Sequence, residues 1–572
     1  MSGSGGNGSQ VLQDVRAALA GHGQVNLTGP LGVGKSRLLA HLDGTTKVDL
    51  DPDPQEALRA LRRHLADPAA ARCALVVDSV DGPQRLAAVS AALHDSRHPR
   101  PGLVVVSRRP VATDPRWTHP VNAVSVAPAC PGRIAAMTAD VRRPGLGALV
   151  HRLAGGIPLL ADTARRALDR GGEGEPPGAV ADRLAEVVLE RLGRELPGRR
   201  WQHALRLLAT VRTADERLLP GGPEQFSRLA ALSIVDRTAL GLRIAEPYRT
   251  ILELAYRWRR PEAHEDARTR ARDYRLTLLR HVGDGQERAA LAEQALFLTG
   301  DPLVRRDLFP AAERAVGFRP ACAADADDIA RLMDRWARNG GFDRPRSARL
   351  TERWAGHDIS TFHLAHDLDG RPIGVASLLP IGEPSADCAE PLLQQHSGTL
   401  VGGGMFLGAA HCDDPAARAL LLRYVLRQGV AAGRLVVSTA SPAYQELVRG
   451  LGFRVHGAVR DDVYRCGHPP QVFSNDLGTP DLPGWLERVG GDGSPDGPPA
   501  EVPHLAPQEL RVLLGYTSGL TLESAGRRAG IAPNTAKFYL SRVKAKYLAA
   551  GRPAHTKIEL AERVREDGLD RA

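Results

Sequence analysis

The chain has no apolar run approaching the roughly 20 residues that a membrane-spanning helix needs, so no segment reads as a bilayer span. Its first stretch, MSGSGGNGSQ, has neither a basic n-region nor an apolar h-region and does not read as a secretory leader. Residues 1–10 are expected to form a flexible tail. Cysteine is sparse. Cys73, Cys130, Cys322, Cys388, Cys412 and Cys466 stand apart, and none makes a CxxC pair with metal-ligand spacing. Scattered thiols in a long chain without an export signal fit a reducing compartment, so a cytoplasmic location is expected. A fixed-period repeat is also lacking. The charge excess is small for the length, +9 over 572 residues with a pI near 9.5. That sign suits a polyanionic partner such as DNA, but the placement of the basic residues decides more than their sum.

What is present is a soluble globular composition, 43% hydrophobic and 25% charged, in a chain long enough for several domains. Three stretches read as joints. Residues 171–178 (GGEGEPPG) are turn-rich, Arg319-Pro320 ends a long helical region, and residues 490–503 (GGDGSPDGPPAEVP) lack apolar periodicity. From about Val180 to Phe309 the apolar residues recur at helical spacing.

Val25 to Thr28 reads as a short buried strand. It is followed by GPLGVGKS, residues 29–36, and then by a helical run through Leu42. This fits GxxxxGK[ST] in the strand-loop-helix context that the chemistry requires. Gly29, Gly32 and Gly34 let backbone N–H groups curl around phosphates. The helix N-terminus adds a positive dipole end. Lys35 can reach the β- and γ-phosphates, and the Ser36 hydroxyl can ligate Mg²⁺. A second strand, Ala74 to Asp78, ends in a carboxylate. Asp78 is the candidate catalytic residue and, with Ser36, a candidate metal ligand. A third strand, Leu103 to Val106, runs into Ser107-Arg108-Arg109, and Arg108 is placed to sense a γ-phosphate.

The set GPLGVGKS, LVVDSVD, VVVSRRP and Gly156-Ile157-Pro158 resembles the STAND class of signalling ATPases over about the first half of the chain. That resemblance implies a sensor role for Arg108 and a helical lid whose GxP motif places Pro158 against ATP or ADP. It also implies a following winged-helix region, matched by residues 232–254. Two positions depart from the family pattern. Ser79 follows Asp78 where a second acid is common, with Asp81 the next acid, and Ala245 stands where a histidine is common. Both changes point to a slow nucleotide switch rather than to rapid turnover.

From Phe318 the pattern changes to a strand leading into a helix. A hairpin follows, with strands at residues 361–367 and 372–378 around Leu368-Asp369-Gly370-Arg371. Then come a strand (405–410), a helix (415–432), a strand (435–438), a helix (442–450) and the close YQELVRGLGFRV. This order resembles the GNAT acetyltransferase fold over residues 318–477. The family's glycine-rich RxxGxG loop for acetyl-CoA is replaced by residues 411–418, which contain no glycine. Asp413 and Asp414 stand where an anion has to sit, which argues against acetyl-CoA and favours a sensing or packing role. Tyr444 and Tyr464 are candidate acids, with buried packing the commoner fate of such residues.

At the C-terminus, Pro507 opens a helix that Gly519 ends, Thr521 caps a second, Gly530-Ile531 turns the chain, and Pro533 opens a third helix. Ala536, Leu540 and Val543 form one apolar stripe, with Lys537, Arg542, Lys544 and Lys546 off it. APQE, Gly519 and GIAPNTAKFYLSRVKAKY resemble the LuxR-type helix-turn-helix at Glu509, Gly530, Ile531, Thr535, Lys537, Leu540 and Lys546. The resemblance implies DNA binding, with Lys537, Phe538 and Ser541 at base edges and Thr535, Arg542 and Lys546 on phosphates. Ala532 in place of a capping Ser, and Ala536 and Phe538 in place of common choices, bear on sequence preference.

The expected architecture is multidomain α/β. Residues 1–10 are a tail, 11–135 a P-loop NTPase core, 136–196 a helical lid and 197–310 a winged-helix-like region. A GNAT-like domain at 315–480, a linker at 485–503 and a helix-turn-helix at 504–572 complete it. The leading function is an ATP-responsive transcriptional regulator acting as a dimer or ligand-induced oligomer. The alternatives are an acyl-CoA-dependent acetyltransferase with regulatory attachments, and a scaffold that ATP merely stabilises.

Overall fold

The computed structural model describes residues 6–21, 23–51, 53–67, 73–96, 102–138, 146–170, 176–310, 316–367, 369–400, 402–490, 505–549, 554, 556–566 and 569. Most of the joints expected at 171–178 and 490–503, and Leu368 of the hairpin turn, lie outside these residues. The chain divides into two compact units, Met1–Leu298 with Leu308–Ala315, and Thr299–Asp307 with Val316–Ala572.

The first unit is built on five parallel strands. These are β1 (Gln24–Thr28), β2 (Thr45–Asp49), β3 (Ala74–Asp78), β4 (Leu103–Val106) and β5 (Asn122–Ser125), in the order β2-β3-β4-β1-β5. The inner strands β3 and β4 are near-continuous runs of Val and Leu, as a sheet covered on both faces requires, while the inner strand β1 alternates Val25 and Leu27 with polar residues; the apolar side chains of all three are buried. Each such side chain contributes roughly 1.5–3 kcal/mol on leaving water. Parallel pairing brings the C-terminal ends of β1, β3 and β4 side by side, and with them the glycine loop, Asp78 and Arg108. Asn26 fixes this edge. Its fully buried amide donates to the Val105 carbonyl and the Ser107 hydroxyl and accepts from the Val111 N–H.

The helix Gly6–Ala20 overturns part of the expected tail. Val11 and Val15, one turn apart, are buried, and that apolar burial outweighs the poor helix propensity of its glycine-rich start. Beyond β5 lie helices Pro131–Met137, Leu146–Ala154, Pro158–Arg170 and Pro177–Leu192. A helix (Trp201–Val211), β6 (Thr213–Ala214), a helix (Gly222–Ala230), β7 (Val235–Thr238), β8 (Gly241–Ile244) and a helix (Tyr248–Arg259) follow, with a small sheet in the order β6-β8-β7.

The second unit carries a seven-stranded sheet. Its strands are β9 (Gly317–Pro320), β10 (Phe362–His366), β11 (Pro372–Pro380), β12 (Met405–Cys412), β13 (Arg434–Thr439), β14 (Arg454–Ala458) and β15 (Gln471–Asp476). Their order is β14-β15-β13-β12-β11-β10-β9. Trp354, Phe362, Phe406 and Val472 anchor its core. Strands β12 and β13 are parallel but share only Met405–Leu407 with Leu435–Val437. Cys412 leads into the helix Pro415–Ala432 and Thr439 into the helix Pro442–Gly450.

Two expected boundaries move. Residues 299–307, expected with the winged-helix-like region, belong to the second unit, where the Thr299 hydroxyl donates to the Val489 carbonyl. The expected start of the linker, residue 485, lies inside the helix Leu482–Gly490, so residues 485–490 are not linker. Leu482, Trp485, Leu486 and Val489 recur at helical spacing and are buried, and the Trp485 indole donates to the Leu451 carbonyl at 2.6 Å.

The C-terminal helices are Pro507–Thr517, Leu522–Arg528, Pro533–Ala549 and Lys557–Glu566. Thr521 caps the second by accepting from the Ser524 N–H. The fourth was not anticipated. Leu560 and Val564 bury its inner face against Leu513, Leu540 and Tyr547.

Candidate functional site

The loop after β1 holds Gly29, Gly32 and Gly34 at φ +151°, +79° and +107°. A side chain at any of the three meets backbone strain, and a Cβ on Gly32 would lie 2.8 Å from Leu159. Among the described residues, the N–H groups of Gly32 and Gly34 have no hydrogen-bond partner. The helix that follows, Lys35–Leu39, has five residues rather than continuing through Leu42, so its dipole adds little. The open N–H groups and Lys35 carry the anion-binding capacity.

Lys35 is buried and donates to the carbonyls of Gly29 at 2.5 Å and Pro30 at 3.2 Å. Burial pushes its ammonium down to about 8, against the opposing pull of Asp81. Ser36 hydrogen-bonds the Asp78 carboxylate, which also accepts from the Ser79 N–H at 2.7 Å. Burial still raises Asp78 above the ordinary carboxylate value. A buried lysine beside a hydroxyl–carboxylate pair is a donor set that fits a phosphate with a hard divalent cation. Among the described residues no cluster of His, Cys, Asp and Glu holds a metal by protein ligands alone.

Arg108 does not point freely toward that loop. Its backbone N–H and guanidinium bind Asp81, at 2.7 and 3.2 Å, and the guanidinium also pairs with Glu195 and donates to the Ser233 hydroxyl. Glu195 in turn accepts from the Ser233 N–H and hydroxyl, each at 2.7 Å. A guanidinium buried this deeply needs such partners. Asp81 is therefore engaged with Arg108, and its charge also acts on Lys35. Arg109 reaches the carbonyls of Leu232 and Val235. The residues after β4 thus tie the nucleotide edge to the small three-stranded region.

Pro158 opens the helix Pro158–Arg170, and the Leu159 N–H donates to the Gly32 carbonyl at 3.3 Å. A cavity of about 450 Å³ is walled by Val11, Val33, Leu38, Val126, Pro128 and Pro158. Pro247 packs on Gly155, and the Tyr248 hydroxyl donates to the Leu31 carbonyl at 2.7 Å. Sequence reasoning missed Asn26, Glu195, Ser233 and Tyr248. Their partners lie far away along the chain, and no local pattern marks them.

In the second unit a cavity of about 440 Å³ is lined by Trp336, Phe342, His411, Cys412, Arg418 and Tyr444. Asp414 caps the helix Pro415–Ala432, accepting from the Ala416 and Ala417 N–H groups at 2.8 and 3.5 Å. Asp413 binds His411 and Arg335. Burial raises Tyr444. Tyr464 is fully buried and stacked on Phe342 at 4.7 Å, which removes it as an acid.

On the helix Pro533–Ala549, Thr535, Lys537, Phe538, Ser541 and Arg542 are exposed, while Ala536, Leu540, Val543 and Tyr547 are buried. Two assigned phosphate ligands are engaged elsewhere. Lys546 donates to the buried Glu509 carboxylate at 2.5 Å, and Arg542 pairs with it at 3.2 Å. Glu509 also accepts from the Ala506 N–H. Burial alone would raise Glu509, but Lys546, the Ala506 N–H and Arg542 outweigh it and hold the carboxyl below its ordinary value. Lys546 is therefore a structural partner, whereas Arg542, half exposed, has one side left for other contacts.

No family model matches the chain, and no curated protein does. Solved structures resemble it at low overall scores. A histone acetyltransferase and related acetyltransferase from Corynebacterium glutamicum is 18% identical, with 28% of this chain and 96% of that chain covered and a TM-score of 0.23. A polyamine N-acetyltransferase from Drosophila melanogaster is 13% identical, with 28% and 100% covered and a TM-score of 0.23. A signal transduction ATPase with numerous domains, carrying a tetratricopeptide repeat sensor, from Pyrococcus horikoshii is 11% identical, with 98% and 78% covered and a TM-score of 0.23. Among the described residues no helix is long and apolar enough to cross a membrane.

Proposed function

We propose that this chain is an ATP-responsive, DNA-binding transcriptional regulator of the cytoplasm, with a STAND-like nucleotide switch and a LuxR-type helix-turn-helix. The observation that carries the switch is Arg108, buried within electrostatic reach of Lys35 and paired to Asp81 and Glu195. The glycine loop and Lys35 would hold a γ-phosphate and Ser36 and Asp78 would hold Mg²⁺, and the phosphate's negative charge would compete with those carboxylates for Arg108. Binding thereby gains a differential interaction with two arrangements of the first unit, without which no ligand shifts an equilibrium. Hydrolysis is slow in this reading, because Ser79 stands where a second acid would follow Asp78 and Ala245 stands where a histidine would reach the nucleotide.

The DNA-binding part rests on the exposed face of Thr535, Lys537, Phe538, Ser541 and Arg542, on a helix whose other face completes a core. Such a helix enters a major groove, and a dimer reads paired half-sites. Two measurements test the proposal together. Titration with ATP and with ADP is expected to give binding that Lys35→Ala removes. Selection from random duplexes is expected to enrich one sequence family, and enrichment of none sinks the regulator.

The second unit supplies a sensing domain in this reading. It holds a cavity of about 440 Å³, and Asp414 occupies the N–H groups that a coenzyme A pyrophosphate would need. The acetyltransferase reading predicts micromolar acetyl-CoA binding by calorimetry; none is expected.

A further inference from the structure

The core stripe of the helix Pro533–Ala549 is complete without Phe538, yet a phenylalanine stands in the middle of its outer face, 58% exposed. Only Trp258 and Val455 are comparably exposed large apolar side chains among the described residues. The ring is also oriented. Arg542, one turn on, lies with its guanidinium carbon 5.8 Å from the ring centroid, while its Nε sits 3.2 Å from the buried Glu509 carboxylate. Glu509 thus positions Arg542, and Arg542 lies against one side of the ring. Thr535, Lys537 and Ser541 are exposed on the same helix. Residues 505–572 hold twelve Lys and Arg against seven Asp and Glu, a balance that suits a polyanionic partner. A polyanion that also offers an apolar group to a rigid ring is duplex DNA, whose major groove presents the 5-methyl of thymine.

We propose that Phe538 reads a thymine 5-methyl group and sets sequence preference at one A·T position of each half-site, with Arg542 as its positioning residue. This rests on the DNA binding proposed above. The experiment uses the full chain. A duplex family is selected from a random library, and each thymine of the enriched site is then replaced singly by uracil, which removes only the methyl. Affinity is read by fluorescence anisotropy for the wild type and for Phe538→Ala. One substitution per half-site is expected to weaken the wild type about fourfold, the worth of one buried methyl, and to leave Phe538→Ala unchanged. Equal tolerance of uracil at every position, or the same loss in Phe538→Ala, overturns the inference while leaving the regulator standing. No enriched sequence overturns both. A change in sedimentation of Phe538→Ala with an unchanged thymine preference assigns the ring to self-association and also overturns it. Phe538 is exposed, so its truncation leaves the fold intact, and an unchanged melting curve verifies this.

Discussion

At Gly34 the chain leaves β1 for a helix of five residues, and at Asp414 it leaves β12 for a helix of eighteen. Helix dipoles alone favour the longer helix as an anion site. The turns reverse that ranking. The first turn has three glycines at positive φ, open N–H groups and a buried lysine. The second has no glycine, and the Asp414 carboxylate already occupies its first N–H groups. A helix terminus is an anion site only when the turn leaves its donors free. A capping carboxylate stabilises the helix by filling the place that a ligand would take.

The sharpest way to break this contrast is Lys35→Ala. Removing one partner of a buried charged hydrogen bond costs about 2–5 kcal/mol, so ATP affinity is expected to fall about 100-fold in calorimetry. Retained affinity would show that the glycine loop does not hold phosphate. The next effect is in pH. Phosphate binding needs the charged form of Lys35, whose value is about 8, so affinity is flat below that pH. Above it, affinity declines by up to about tenfold per unit. Lys35 is lowered on folding, so the unfolded chain binds more protons than the folded one between pH 8 and 10.5. Its burial therefore weighs on stability below pH 8 and is relieved as pH rises through that window. A nucleotide affinity that is level across pH 7–10 would contradict the assignment. The smallest effect sharpens the other side. Asp414→Ala is expected to destabilise the second unit by about 1 kcal/mol in urea melts. An unchanged midpoint would mean that the carboxylate does not cap the helix.

Much of this was legible before any coordinates. The strands Ala74–Asp78 and Leu103–Val106 announced themselves by their Val and Leu runs, and the helices Pro415–Ala432 and Pro442–Gly450 lie where the strand–helix order placed them. The exposed face of the helix Pro533–Ala549 followed from a single apolar stripe. Where local signal misled, burial was the reason. Gly6 to Gln10 looked like a tail, but Val11 and Val15 draw those residues into a helix. Residues 485–490 looked like the start of a linker, but Trp485 anchors them.

The sequence by itself determined which residues bring chemistry, since loop glycines, a strand-terminal carboxylate and basic helix positions are encoded within a few neighbouring residues. Only the tertiary structure decided which of those groups are already spoken for. Arg108 is held by Asp81 and Glu195, Lys546 by Glu509, and the helix N-terminus at Pro415 by Asp414. The physical reason is that a buried charge must find a counter-charge. For Arg108 and Lys546 that partner sits tens of residues away in sequence, where no local pattern can point to it.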